Sequence, residues 1–107
     1  MKPLLVLTNL PDRAAAESLA DALITEQLAA CVNILAPRRS VYRWQGSIQH
    51  DDEHPMLIKT TEERYAALEQ VIRTRHPYEL PEIVAVRIER GLAAYLKWLA
   101  AETGATP

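Results

Sequence analysis

What this chain has little of narrows its reading quickly. It contains no phenylalanine and one cysteine, Cys31, so no internal disulfide can staple it and it does not read as a small secreted scaffold. A metal-delivery loop of the Cys-x-x-Cys kind is excluded for the same reason. Glycine is scarce, with three residues in all, and none lies where a phosphate-cradling loop would follow the first apolar run. That segment is Asn9-Leu10-Pro11-Asp12, whose acid would repel phosphate, so an acylphosphatase-like reaction is not expected. Nor is there a Gly-x-Ser-x-Gly, a Walker loop or a His-Glu-x-x-His; the expectation is that the chain is not an enzyme. Basic charge is not in excess: the formal net charge is −2 and the pI near 5.9, which argues against nucleic acid or an anionic membrane as partner. The run Leu4-Leu5-Val6-Leu7 falls short of a signal-peptide core, and nothing approaches the roughly 18 apolar residues of a membrane span, so a cytoplasmic location is expected.

What is present is the composition of one soluble globular domain, 1–107: 49% hydrophobic and 24% charged residues in 107 positions. Leu4 to Leu10 reads as a strand buried on both faces, ended by Pro11, with Asp12 placed to cap a helix over Arg13–Ala29. Ala15, Leu19, Ala22 and Leu23 mark the apolar face of that helix. Cys31–Leu35 and Ser40–Trp44 are strand-like, Gln45-Gly46 resembles a two-residue hairpin loop, and Ser47–Thr60 is the returning strand. If Trp44 faces Ser47, then Arg39 meets Asp52 and Arg38 meets Glu53, so opposite charges pair across the ladder. Pro37 and Pro55 each remove a ladder donor and predict a bulge, bend or edge beyond those pairs.

Thr60-Thr61-Glu62-Glu63 has the form of a capping box with Thr60 as cap and Glu63 reaching back. The helix it opens carries Tyr65, Leu68, Val71 and Ile72 on one face and stops at His76-Pro77. Glu82–Ile88 is a further strand, Gly91 breaks it, and Leu92, Tyr95, Leu96 and Leu99 trace a last amphipathic helix in which Tyr95 and Trp98 pack. Gly104–Pro107 reads as a frayed tail. The order strand, helix, strand, strand, helix, strand with one added helix predicts an α+β, ferredoxin-like βαββαβ sandwich with a long central hairpin. An RNA-recognition domain shares that order, but the Leu4–Leu10 strand has no aromatic ring to stack on bases.

Hairpin length bears on assembly. An arm from Cys31 to Trp44 would extend roughly 45 Å at about 3.3 Å per residue, whereas a domain of this size is only about 35 Å across. The hairpin therefore either projects past its own core and needs a partner, or curls back at Pro37. Trp44 at its tip suits an interface anchor, and Tyr78, held between two prolines, suits a subunit contact or a cleft wall.

Several stretches, taken in order, resemble the CutA family. They are Ala30-Cys31-Val32-Asn33-Ile34 with Ser40-Val41-Tyr42-Arg43-Trp44-Gln45-Gly46, then Leu57-Ile58-Lys59-Thr60, then His76-Pro77-Tyr78-Glu79-Leu80-Pro81-Glu82-Ile83, and finally Gly91 with Tyr95-Leu96-Lys97-Trp98. The resemblance spans Leu4 to about Trp98. It implies a homotrimer whose hairpins wrap neighbouring subunits, similar in architecture to PII-type signalling proteins, and a link to tolerance of divalent metals, copper above all. The chain departs from the family pattern at Glu53-His54-Pro55, where similar members tend to carry a glutamate close to the Leu-Ile-Lys-Thr segment.

Residue types alone allow a metal site, with Cys31 as sulfur donor, His76 as imidazole and Glu79 or Glu82 as carboxylate, a mixture that suits copper or zinc. Their spacing forms no metal motif; the resemblance selects Cys31, His76 and Glu82, with Cu(II) or another divalent ion as a ligand not required for folding. Each has an ordinary structural reading too: a small buried hydrophobe for Cys31, a helix C-cap for His76, a solvated acid for Glu82. His50 and His54, among Asp51, Asp52 and Glu53, offer the residue types of a weak surface metal site, but a solvated charged segment is the better reading. The competing function is a PII-like signalling or scaffold trimer whose ligand is not a metal.

Overall fold

In the computed structural model, which describes residues 1–104, the first apolar run becomes β1 (Pro3–Leu10). Only one of its faces is fully buried: Leu4, Val6, Thr8 and Leu10 point into the core, while the alternate residues are half-buried. The expectation of burial on both faces fails because the two long helices cover one side of the sheet.

Asp12 caps α1 (Arg13–Thr25) as anticipated, its carboxylate accepting the Ala15 N–H at 2.8 Å. The helix stops short of Ala29. Gln27 adopts a left-handed φ of 57°, and the N–H groups of Gln27 and Leu28 donate to the carbonyls of Ile24 and Leu23 at 3.0 and 2.9 Å. This is a Schellman ending with glutamine where glycine is usual, and its accompanying apolar contact is supplied by buried Leu23 and Leu28. Leu28 and Ala29 thus belong to the core, in a loop rather than in the helix.

β2 (Cys31–Ile34) and β3 (Arg38–Trp44) are separated at Pro37, and β4 (Ser47–Thr61) runs beside both. The hairpin register is the anticipated one: Trp44 faces Ser47, Arg39 faces Asp52 and Arg38 faces Glu53. Positive φ at Gln45 (50°) and Gly46 (82°) gives the tight turn. The Arg39–Asp52 pair forms at 3.5 Å, but the Arg38 guanidinium turns instead to the carbonyls of Ala36 and Pro37 at 3.3 and 3.2 Å. Pro55 sits inside β4, its carbonyl accepting the Leu35 N–H at 2.9 Å.

The capping box does not form. Thr60 is still in the strand, its hydroxyl donating to the Leu28 carbonyl at 2.6 Å, and Thr61 is the residue that precedes α2 (Glu62–Arg75). Leu68 and Ile72 are the buried pair of α2, flanked by Tyr65 and Val71, and the helix ends at His76 before Pro77. β5 (Val84–Arg87) is shorter than the expected Glu82–Ile88, and all four of its residues are exposed. The last helix, α3 (Ala93–Glu102), buries Leu99 and leaves Tyr95 and Trp98 partly exposed against each other, ring centroids 5.4 Å apart. Their expected packing into the fold is therefore only partial. The Arg64 guanidinium donates to the Thr103 carbonyl at 2.7 Å and fixes the end of α3. Of the anticipated tail, Gly104 closes this helix with φ 77°, and residues 105–107 lie outside the described residues.

The main sheet has the order β2-β4-β1-β5, with neighbours antiparallel, and β3 joined to β4 alone. This is the α+β ferredoxin-like arrangement, and its core lies between the sheet and α1 with α2: Val6, Leu10, Leu19, Leu23, Ile58 and Ile72 carry it, with Met56 and Leu68. The molecule measures 49 × 25 × 23 Å, so the β3–β4 hairpin projects rather than curling back at Pro37. Val41, Tyr42, Trp44 and Ile48 stand exposed along it.

Candidate functional site

The richest polar cluster grows from the end of α2. His76 closes the helix through its N–H to the Ile72 carbonyl at 2.8 Å, then turns away with ψ 134° into Pro77. This carries the imidazole to the end of β1, where Nε2 donates to the Asn9 carbonyl at 2.6 Å. Nδ1 accepts the N–H of Tyr78 at 3.2 Å, so its partners define a ring protonated at Nε2. The side chain is buried, and burial lowers its pKa below the ordinary 6.5; the Asn9 carbonyl and the nearby Glu53 charge oppose that shift.

Tyr78 lies against the histidine, ring centroids 4.7 Å apart and tilted by 51°. Its phenol is pushed far up, first by burial and then by the Glu53 carboxylate beside it. Glu53 is itself buried although it carries an acid, and it sits at the root of the hairpin, where Arg38 opposite has turned away. Further out, the Tyr42 hydroxyl donates to Asp51, and that bond is the first cause of the raised Tyr42 pKa. On the other side, the Asn9 carboxamide donates to Glu82 at 2.9 Å. A shallow groove of about 260 Å³ opens beside Tyr78 and Glu79 against Arg73 of α2.

Of the three expected ligands, the structure brings His76 and Glu82 to the same residue, Asn9, and leaves Cys31 elsewhere. Cys31 pairs with Lys59, which pairs with Leu5, four residues before Asn9. At about 3.3 Å per residue and about 4.8 Å per strand, that separates Cys31 from Asn9 by roughly 16 Å along the sheet. The thiol is half-buried, with the Lys59 ammonium 4.0 Å from Sγ and Asn33 at the same distance. Among the described residues no three His, Cys, Asp or Glu side chains converge to hold a metal ion. Sequence reasoning missed Asn9 and the inward turn of Glu53. The register that set Glu53 at the hairpin root was legible, but nothing local marked Asn9 as a hub.

Comparison with known proteins is consistent over nearly the whole chain. The family model described as CutA1 divalent ion tolerance protein matches residues 4–102. A divalent-cation tolerance protein CutA of Thermus thermophilus is 44% identical over 99 residues, 92% of this chain and 96% of the relative. Protein CutA 1, chloroplastic, of Oryza sativa is 41% identical over 96 residues; the chain spans 54% of that relative's length, and 90% of the chain is matched. The crystal structure of CutA1 from Oryza sativa superposes with a TM-score of 0.93 at 38% identity, covering 95% of this chain and 94% of the other.

Proposed function

The chain belongs to the CutA1 divalent ion tolerance protein family, and on that footing we propose that it acts in tolerance of divalent metal ions as a cytoplasmic homotrimer that takes up copper. Its role is one of binding and assembly rather than catalysis. The observation that carries the trimer is the hairpin: Val41 and Ile48 are 61% and 64% exposed on a two-stranded arm that leaves its own core. An isolated hairpin of this kind is marginal in water, and its free edge with its aromatic tip calls for another chain. Val84 and Val86 on the edge strand, and separately Leu92, Tyr95 and Trp98 at the start of and along α3, are further exposed apolar residues for a neighbour to cover. No helix among the described residues is long and apolar enough to cross a membrane.

Copper enters this reading as a ligand of the assembled protein. Cys31, His76 and Glu82 do not fit one ion within a subunit, because the thiol is remote and both ring nitrogens of His76 are already hydrogen-bonded. That same mismatch favours a second reading, a PII-like trimeric scaffold whose ligand is not a metal. Light scattering decides the first half: a mass three times the 12.0 kDa of the chain supports the trimer, and a monomer mass overturns it. Calorimetric titration of Cu(II) in a non-chelating buffer decides the second, with saturation at a fixed ratio per subunit expected. Weak, non-saturating uptake would leave the scaffold reading in its place.

A further inference from the structure

We infer that His76 is a structural strut and not a metal ligand in this chain: its imidazole ties the end of β1 to the 76–82 turn and so fixes the backbone at Tyr78. Both ring nitrogens are committed. Nε2–H donates to a backbone carbonyl that is 67 residues away in sequence, and Nδ1, which holds the ring's remaining lone pair, accepts the Tyr78 amide. A cation binding at Nδ1 would have to displace that amide, and one binding at Nε2 would have to displace a proton and strand the Asn9 carbonyl. The residue is 7% exposed and its ring lies against Tyr78, so a cation reaching either nitrogen would have to displace a partner already in place.

The two companion groups point the same way from independent contacts. Glu82 is turned to the Asn9 carboxamide at 2.9 Å, on the far side of the sheet from Cys31, and Cys31 has an ammonium beside it, which opposes a cation. The strut also has a mechanical task that a ligand would not have. Pro77 removes one backbone donor directly after α2, and the Tyr78 N–H that follows finds its partner in the His76 ring instead of in a helix or sheet. Neutrality of the ring suits the role, since burial disfavours a second proton.

The inference takes only its choice of probe from the tolerance reading. The test is ¹⁵N NMR of the histidine rings and of the Tyr78 amide, using Zn(II) as the diamagnetic probe. In the unsubstituted protein His76 is expected to be protonated at Nε2, with ring shifts that do not move when Zn(II) is added. In His76→Ala, and in the milder His76→Gln, exchange of the Tyr78 amide is expected to rise by about tenfold or more, because its acceptor is gone or displaced. A coordination shift at either ring nitrogen overturns the inference, and so does unchanged Tyr78 exchange in both variants. Protein that takes up neither Zn(II) nor copper at any site ends the metal half of the proposed function and leaves the strut standing on the tautomer and the exchange rates.

Discussion

Strand β4 passes through two different environments, and the contrast explains much of the molecule. Its C-terminal half lies between β1 and β2 and sends Met56, Ile58 and Thr60 beneath the helices, each 0% exposed. Its N-terminal half pairs with β3 alone and leaves Ile48 to solvent. The inner half is paired along two edges and the outer half along one. The halves differ as much in apolar burial, the main favourable contribution to folding. The inner half is stabilised by its own chain, whereas the outer half has apolar side chains with no partner in that chain.

The sharpest way to break this contrast is to truncate one residue on each side. Leu23→Ala, in the core beneath the sheet, should cost about 2–5 kcal/mol of unfolding free energy. Ile48→Ala should cost the single chain no more than about 0.5 kcal/mol. Urea unfolding of both variants at low protein concentration makes the comparison; equal losses would abolish it. Trp44→Ala tests the outer half from the other side. In the proposed trimer its far-UV circular dichroism should be unchanged while association weakens about tenfold or more, read by sedimentation at falling concentration. Intact assembly would mean that the tip anchors nothing.

A smaller effect is expected at Thr8, whose hydroxyl is buried on the core face without a hydrogen-bond partner. Thr8→Val replaces that hydroxyl with a methyl group of similar size and should leave stability unchanged or raise it by up to about 1 kcal/mol. A marked loss would reveal a buried partner for the oxygen. The mildest prediction concerns pH. Burial holds His76 below the ordinary 6.5, so above that value native and unfolded chains both carry the neutral ring and its contribution to stability is complete. As pH falls through 6.5 towards the lower native value, the unfolded chain takes up a proton that the native ring resists, and stability declines. Glu53 and the Asn9 carbonyl oppose the shift and keep it modest. Between pH 7.5 and 5.5 the melting temperature of the parent should therefore drop more than that of His76→Gln; parallel curves would remove His76 as the cause.

Legibility in the sequence followed the range of the interaction. Asp12 as a cap, the Gln45-Gly46 turn and the hairpin pairing of Arg39 with Asp52 all depend on residues a few positions apart or joined by one tight turn, and all were readable. The end of α1 was not, because it rests on Gln27 adopting a left-handed angle that side chains usually avoid, held there by the burial of Leu28. The capping box misled for a related reason. Thr60 has the right local pattern, but the Leu28 carbonyl, 32 residues away, takes its hydroxyl. The exposure of Tyr95 and Trp98 could not be read from helical spacing, which identifies an apolar face and says nothing of which chain covers it.

By itself, then, the sequence determined the order of the elements, the ferredoxin-like class they imply and the register of the projecting arm, since each follows from side-chain periodicity and short-range sterics. Only the tertiary structure decided which face of the sheet is covered and what the candidate ligands do. His76 and Glu82 meet at Asn9 across 67 and 73 residues of chain, while Cys31 is held two strands away. Those separations are set by how the sheet pairs β1 with β4 and β5, and a hydrogen bond closed over such a span leaves no periodic trace in the residues between.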